Sequence, residues 1–260
     1  MTILEEIVAY KTIIVKEQKD KIPFRKLEQS EFFEKPVISL SNSIKNAAKT
    51  SIIAEFKKKS PSKGVINEKA KPEEVTKGYA DAGASGLSVL TDFKYFGGSN
   101  EDLIKAREVN DIPILRKDFT VDEYQVIEAK SMGADVILLI AACLTKQELL
   151  NLARSAQSLQ LQVILEIHEL KELNLVNNYI DIIGVNNRNL KTFELEINTS
   201  LDLIRHIPQE FLKISESGIS SPETLKNLRN IGYDGFLMGE NFMKTGDPGK
   251  AFKEFVERLK

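Results

Sequence analysis

The chain has 260 residues, with 36 Lys and Arg against 38 Asp and Glu for a formal net charge of -2, a balance that excludes a nucleic-acid surface spread over the whole protein. With 42% hydrophobic and 28% charged residues, 14 Gly and 8 Pro, it is neither disordered nor fibrous, and its length suits two small domains or one α/β barrel of about 250 residues. One cysteine, Cys143, and two histidines, His168 and His206, exclude an internal disulfide framework and a Cys-rich zinc centre, and no metal site is expected.

The opening residues, MTILEEIVAYK, place Glu5, Glu6 and Lys11 where a signal peptide needs an unbroken apolar region, and no stretch approaches eighteen uncharged apolar residues. A soluble cytoplasmic protein without membrane contact is therefore expected. Residues 1–48 read as an extension: a helix from Ile3 to Lys16, a polar connector and the apolar PVISL segment. It is expected to pack on a barrel or cover one mouth, either as a stabilising clamp or with a share in substrate binding.

From residue 49 to 260 a barrel domain is expected, because short β-branched or Leu-rich runs alternate with segments of helical period. SIIAEFK (51–57) precedes a helix from about Pro72 to Gly83; GLSVLTD (86–92) one near 99–109; IPILRKD (112–118) one near 122–131; ADVILLIAA (134–142) one near 145–158. The second half repeats this with LQVILEIH (161–168) and a helix near 169–177, DIIGVNN (181–187) and 199–206, FLKISES (211–217) and 221–230, DGFLMGE (234–240) and 248–259. Eight strand-helix units without a composition break close most economically into a (β/α)₈ barrel, an α/β fold.

A buried parallel strand should be nearly all apolar, so charges in its last residues need a reason. Two-residue periodicity puts Glu55 and Lys57 on the face of Ile53, Lys117 on that of Leu115, Glu166 on that of Ile164 and Glu216 on that of Ile214, while Asn186 and Arg188 share a face. If that face points inward, all seven meet at the C-terminal mouth, where barrel enzymes keep their chemistry. The opposite parity would send them to solvent or helices. Together they suit proton transfer on an anionic substrate.

A phosphate site is suggested by the loop KKKSPSKG (57–64), which includes Lys59 and Ser60, by Ser217 and Gly218 after strand 7, and by Gly239, Glu240 and Asn241 after strand 8. The Glu240 side chain is expected to point away from the anion while its backbone N–H contributes. Phe93, Tyr95, Phe96 and Phe119 fall in the loops after strands 2 and 3 and offer walls for a flat ring. His168 reads as a structural hydrogen-bonder or an acid/base partner of Glu166, His206 as structural, and Cys143 as a small buried residue.

IIAEFKKKSPSKG, TDFKYFGGS, PILRKDF, VILEIH, IIGVNNRNL, ISESGI and FLMGENFM, in this order, resemble the successive strand-end motifs of the indole-3-glycerol phosphate synthase family of tryptophan biosynthesis. The resemblance implies a carboxy-lyase that closes the ring of 1-(2-carboxyphenylamino)-1-deoxyribulose 5-phosphate with loss of carbon dioxide and water. It implies no cofactor and a phosphorylated small molecule as the partner, with contact to other tryptophan-pathway enzymes left open. By motif position, Lys117 matches the family's general acid, Glu166 its acidic partner, Glu55 and Lys57 the strand 1 pair, Asn186 and Arg188 the NxR, and Glu216 with Ser217 the ESG. Lys59, Gly218 and Gly239 match the phosphate ligands, and Glu240 stands where some members have Ser. Rival readings are another phosphate-binding barrel, such as the preceding isomerase or a sugar-phosphate epimerase, and a barrel that binds a phosphorylated metabolite without turning it over. The isomerase would want a cysteine at the end of strand 1, the metal-dependent epimerase more histidines, and the binder neither Lys117 nor Glu166.

Overall fold

The computed structural model describes residues 2–46, 48–189 and 194–259; Leu190, the last residue of the IIGVNNRNL motif, lies outside them. Eight parallel strands, β1 (Ile52–Phe56), β2 (Gly86–Leu90), β3 (Ile114–Lys117), β4 (Val136–Ile140), β5 (Gln162–Ile167), β6 (Ile182–Asn186), β7 (Leu212–Glu216) and β8 (Gly235–Met238), close into a barrel in chain order. Ile52 pairs with Phe236 across the closing seam. Each strand is shorter than its apolar run because the flanking residues already bend into loops.

Alternation along each strand separates two apolar layers. Ile53, Leu115, Leu138, Ile164, Ile214 and Leu237 fill the barrel interior, while Ala54, Phe56, Val89, Ile137, Val163 and Phe236 face the surrounding helices. The inward set has the parity of Glu55, Lys117, Glu166 and Glu216, so the strand-end charges point into the mouth.

The outer helices are α4 (Pro72–Asp81), α6 (Asn100–Glu108), α7 (Glu123–Ser131), α8 (Lys146–Ser158), α9 (Asn198–Leu203), α10 (Pro222–Asn230) and α12 (Pro248–Glu257), with short α5 (Phe93–Phe96) and α11 (Glu240–Met243) in the loops after β2 and β8. After β5 the expected helix is instead a 3₁₀ segment, Leu170–Leu175. At about 2 Å per residue its six residues cover some 12 Å, stretching a short connection further than an α-helix would. The segment after β1 forms a hairpin of two-residue strands, Lys59–Ser60 and Gly64–Val65, turned at Gly64 with φ 67°; strands this short carry no readable alternation.

The extension supplies α1 (Ile3–Lys21), α2 (Phe24–Glu28) and α3 (Leu40–Lys45). Thr2 and Glu5 form a capping box at the start of α1. The helix runs five residues past Lys16 because the polar run KEQKDK, though without an apolar stripe, consists mostly of good helix formers. Leu4 and Ile7 of α1 join Tyr95, Phe119 and Ile140 at the C-terminal mouth. Lys11 lies 2.8 Å from Asp92 and 2.7 Å from Asp118, all three buried. The PVISL segment enters α3, whose Leu40 and Ile44 belong to the same interior cluster but at the opposite end of the strands. A Cβ on Gly86 would come within 2.7 Å of Leu40 and one on Gly235 within 3.4 Å of Ile44, so small residues at these strand starts admit the plug. The extension thus packs against both ends of the barrel.

Candidate active site

A cavity of about 290 Å³ occupies the C-terminal mouth. Lys117, the last residue of β3, is its hub: Nζ donates to Glu166 Oε2 at 2.7 Å and to Glu216 Oε2 at 3.2 Å. Lys57, just past β1, lies 2.7 Å from Glu55 Oε1, and Ser88 Oγ contacts Glu55 Oε2 at 3.4 Å. All three carboxylates are at least 96% buried.

Their electrostatics differ. Burial would raise the Glu166 carboxyl, but the Lys117 ammonium overcomes this and holds it below the usual carboxylate range. Burial pushes Glu216 well above that range against the pull of Lys117, and the nearby Glu166 adds to the rise. Burial opposes the charge on Lys117, yet Glu166, Glu216 and Glu55 more than restore it, so its pKa rises and it stays protonated. Two carboxyls on one ammonium are therefore driven apart, Glu166 toward the ionised form and Glu216 toward the protonated one.

Two residues outside the expected site shape it. Gly184 on β6 faces Glu216, and a Cβ there would fall 2.2 Å from Glu216 Oε1, so a larger residue would have to displace that carboxyl. Asn187 donates to the carbonyls of Glu216 and Ser217 at 3.0 and 3.1 Å and fixes the turn after β7. A lone glycine in a strand and a doubled Asn were the available signals. Asn186 lines the cavity, and its side chain accepts from the Arg188 amide at 3.0 Å.

Along the side formed by the loops after β1, β7 and β8 lie Ser60, Ser217, Gly218 and Gly239. Ser217 and Gly218 both have left-handed backbones, φ 65° and 75°, a strained turn that non-glycine residues adopt at a cost of order 1–3 kcal/mol. The Ser60 hydroxyl is buried and makes no hydrogen bond within the protein. Ser60, Ser217, Gly218 and Gly239 line the cavity where these three neighbouring loops meet.

Lys59 departs from expectation: it does not line this cavity, because the hairpin turns it outward and its ammonium donates to the Lys94 carbonyl at 3.1 Å. Glu240 lines the cavity, but its side chain does not point away from the cationic groups there. Its Oε2 meets Arg188 Nη2 at 3.2 Å and its Oε1 lies 3.9 Å from Lys63, while Arg188 Nη1 donates to Ser62 at 3.1 Å. The cation across the mouth draws the carboxylate in.

Among the aromatics, Phe96 and Phe119 line the cavity with centroids 6.1 Å apart. Phe93 is 78% exposed, and Tyr95 instead packs on Tyr10 and donates to Glu6 at 2.8 Å. Cys143 is partly buried, its thiol pushed up to about 12 by burial and by Glu166 and Glu172, so no thiolate forms near neutrality. His206 sits in a 3₁₀ turn away from the mouth. Among the described residues no group of three or more His, Cys, Asp and Glu is placed to hold a metal ion, and no helix is long and apolar enough to cross a membrane.

Comparison with known proteins places this geometry in context. A family model described as indole-3-glycerol phosphate synthase matches residues 4–255. An indole-3-glycerol phosphate synthase of Bacteroides thetaiotaomicron is 48% identical over 260 residues, covering 99% of this chain and 98% of that relative. One of Laribacter hongkongensis is 42% identical over 254 residues, covering 96% and 97%. In the crystal structure of 3-hexulose-6-phosphate synthase from Salmonella typhimurium the barrel recurs with a TM-score of 0.61 at 12% identity, over 81% of this chain and all of that one.

Proposed function

The chain belongs to the indole-3-glycerol phosphate synthase family, and on that premise we propose how its mouth residues divide the work of forming indole-3-glycerol phosphate. The activity is that of a carboxy-lyase in tryptophan biosynthesis. Its substrate in this reading is 1-(2-carboxyphenylamino)-1-deoxyribulose 5-phosphate, and the biosynthetic role supports a cytoplasmic setting.

The carboxylate-bearing ring carbon attacks the ribulose carbonyl, whose oxygen gains negative charge. Lys117, protonated and held between Glu166 and Glu216, stabilises that oxygen and gives it a proton. The carboxylate leaves as carbon dioxide and its bonding electrons return to the ring. The new hydroxyl then departs as water with a proton supplied from the Lys57–Glu55 pair, and a proton lost from the new ring passes to ionised Glu166. Asn186 holds the Glu166 carboxylate by a side-chain hydrogen bond, and Glu216, kept protonated by burial, leaves the Lys117 charge only partly neutralised. Ser60, Ser217 and the amides of Gly218 and Gly239 cradle the phosphate, Arg188 grips an anionic group of the substrate, and Phe96 and Phe119 flank the benzene ring. The extension supports the site from behind, since Leu4 and Ile7 of α1 share an apolar cluster with Phe119.

The observation that carries this reading is a buried lysine at a strand end, shared by two carboxyls of opposite protonation tendency in a cavity of about 290 Å³. The chain has no Trp, so indole emission is readable against a dark protein. Incubation with the carboxyphenylamino-deoxyribulose phosphate should produce indole emission in step with loss of anthranilate emission, without added metal or nucleotide and unaffected by a chelator. Folded protein that binds the substrate and yields no indole would instead identify a non-catalytic binder.

A further inference from the structure

His168 is a buried group that the chemistry above leaves unused. It follows β5, two residues beyond Glu166, and its Nε2 lies 3.4 Å from Glu166 Oε1, while Glu166 Oε2 takes the Lys117 bond. Neither ring nitrogen makes a hydrogen bond within the protein. Its Nδ1 is 3.9 Å from Glu172 Oε2, but that oxygen is occupied by the backbone amides of His168 and Glu169 at 2.6 and 3.1 Å. Two unpaired buried nitrogens keep the cost of leaving water without a partner to offset it, and such an orphan beside a catalytic base calls for a role.

The surroundings suggest one. His168 lines a second cavity of about 590 Å³, bounded by the first turn of α1 and the loops after β4, β5 and β6, which among the described residues shares only Asn186 with the substrate cavity. Glu166 therefore presents one oxygen to Lys117 and the substrate side, and the other to an imidazole that borders the second cavity with both its nitrogens covered. The titratable groups facing His168 and this cavity are Glu166 on β5, Cys143 after β4, Glu169, Lys171 and Glu172 in and beside the 3₁₀ segment, Glu5 on α1, and Glu196 after β6. Acids dominate, a setting that favours the passage of a positive charge.

We infer that His168 is a positioning and relay residue: it aligns Glu166 and carries the proton taken from the new ring out through the second cavity, away from bound product. This rests on the assignment of Glu166 as the base. The steps balance. The ring C–H bond breaks, its electron pair completes the indole, and the proton binds a Glu166 oxygen; the carboxylic acid then passes a proton to neutral Nε2, a transfer that runs downhill from a carboxylic acid to an imidazole. The imidazolium then turns a nitrogen, covered at rest, toward the second cavity and releases a proton to water there, restoring both groups.

The test compares His168→Asn and His168→Gln with Glu166→Gln, each checked for folding by thermal unfolding. Both His168 variants should lose about 10²-fold in kcat with KM unchanged. Added imidazole, small enough for the second cavity, should restore part of that loss, and the kcat–pH profile of the variants should differ in shape from that of the wild type. Wild-type kcat in a folded His168 variant, or a loss that neither responds to imidazole nor alters the pH profile, overturns the relay. Should neither variant fold, the wild-type profile decides: a kcat flat between pH 5 and 8 overturns it. Glu166→Gln separates the premise, since undiminished kcat there refutes Glu166 as the base, whereas a collapse there with a normal His168 variant refutes the relay alone.

Discussion

Replacing Lys11 by Met tests whether α1 is fastened to the mouth by charge. The side chain is 6% exposed and its ammonium meets two carboxylates, Asp92 at 2.8 Å and Asp118 at 2.7 Å. Removing one partner of a buried pair typically costs about 3–5 kcal/mol because the other charge stays behind. Asp118 would keep Thr91 at 2.8 Å, the Phe119 amide at 2.8 Å and Arg116 at 3.4 Å. Asp92 would keep its cap on the Tyr95 amide at 2.7 Å, so the lower end, about 3 kcal/mol, is expected. At about 2–4 °C per kcal/mol for a chain of this size, Tm should fall by roughly 6–12 °C. Lys19 on the same helix is the control: its 2.6 Å pair with Asp122 is about one-third exposed, and Lys19→Met should cost about 0–1 kcal/mol. The pH dependence follows from two shifts. Burial works against the Lys11 charge, but Asp118 and Asp92 more than reverse this and raise its pKa. Its contribution is therefore present below the unfolded lysine pKa and lost only as pH rises through the folded value. Burial works against the Asp118 charge too, but Lys11 and Arg116 lower its pKa, so that contribution is present above about pH 4 and lost as pH falls through the folded value. Denaturant titrations of wild type and Lys11→Met should differ fully at pH 7 and converge in acid. A difference at pH 7 within about 0.5 kcal/mol, the range of an ordinary surface substitution, would refute the electrostatic clamp.

Lys117→Met should leave the fold intact and lower kcat about 10²–10⁴-fold as the loss of one general acid; a normal kcat would remove Lys117 from its role. Burial raises the Glu216 pKa, so the folded state keeps a proton that the unfolded chain releases above about pH 4. Stability should accordingly decline as pH rises from there toward neutrality, and Glu216→Gln should flatten that slope in urea titrations at several pH values. Inorganic phosphate should inhibit competitively, and Glu240→Gln, by releasing Arg188 from its 3.2 Å ion pair, should lower the inhibition constant about twofold to fivefold, as suits a partly exposed pair. An unchanged constant would place Glu240 outside the anion site.

What was legible in the sequence was whatever local periodicity encodes. The eight apolar runs, and the parity that puts Glu55, Lys117, Glu166 and Glu216 on one face, depend only on neighbours two residues apart. What escaped depends on partners far along the chain. Glu240 turns to Arg188, 52 positions away, and nothing around Glu240 signals it. Gly184 was visible as a glycine in a strand, but its reason, the Glu216 carboxyl, belongs to the next strand. Lys59 was placed among phosphate ligands by its lysine-rich loop, whereas a hairpin of two-residue strands decides its direction. Lys11 carries no local sign of its burial, because the two aspartates that pair with it lie 81 and 107 residues later.

Because α3 plugs the barrel floor against strand starts that include Gly235, the order of synthesis matters. Ile44 leaves the ribosome long before Gly235 is made, and at about 5–20 residues per second the wait is roughly 10–40 s. Throughout it Leu40 and Ile44 have an incomplete floor to enter, for the seam that pairs Ile52 with Phe236 is also unmade. Closing the ring and seating the plug therefore become one late event in the life of the nascent chain, and a chain arrested before β8 would present both apolar residues to whatever holds unfinished proteins.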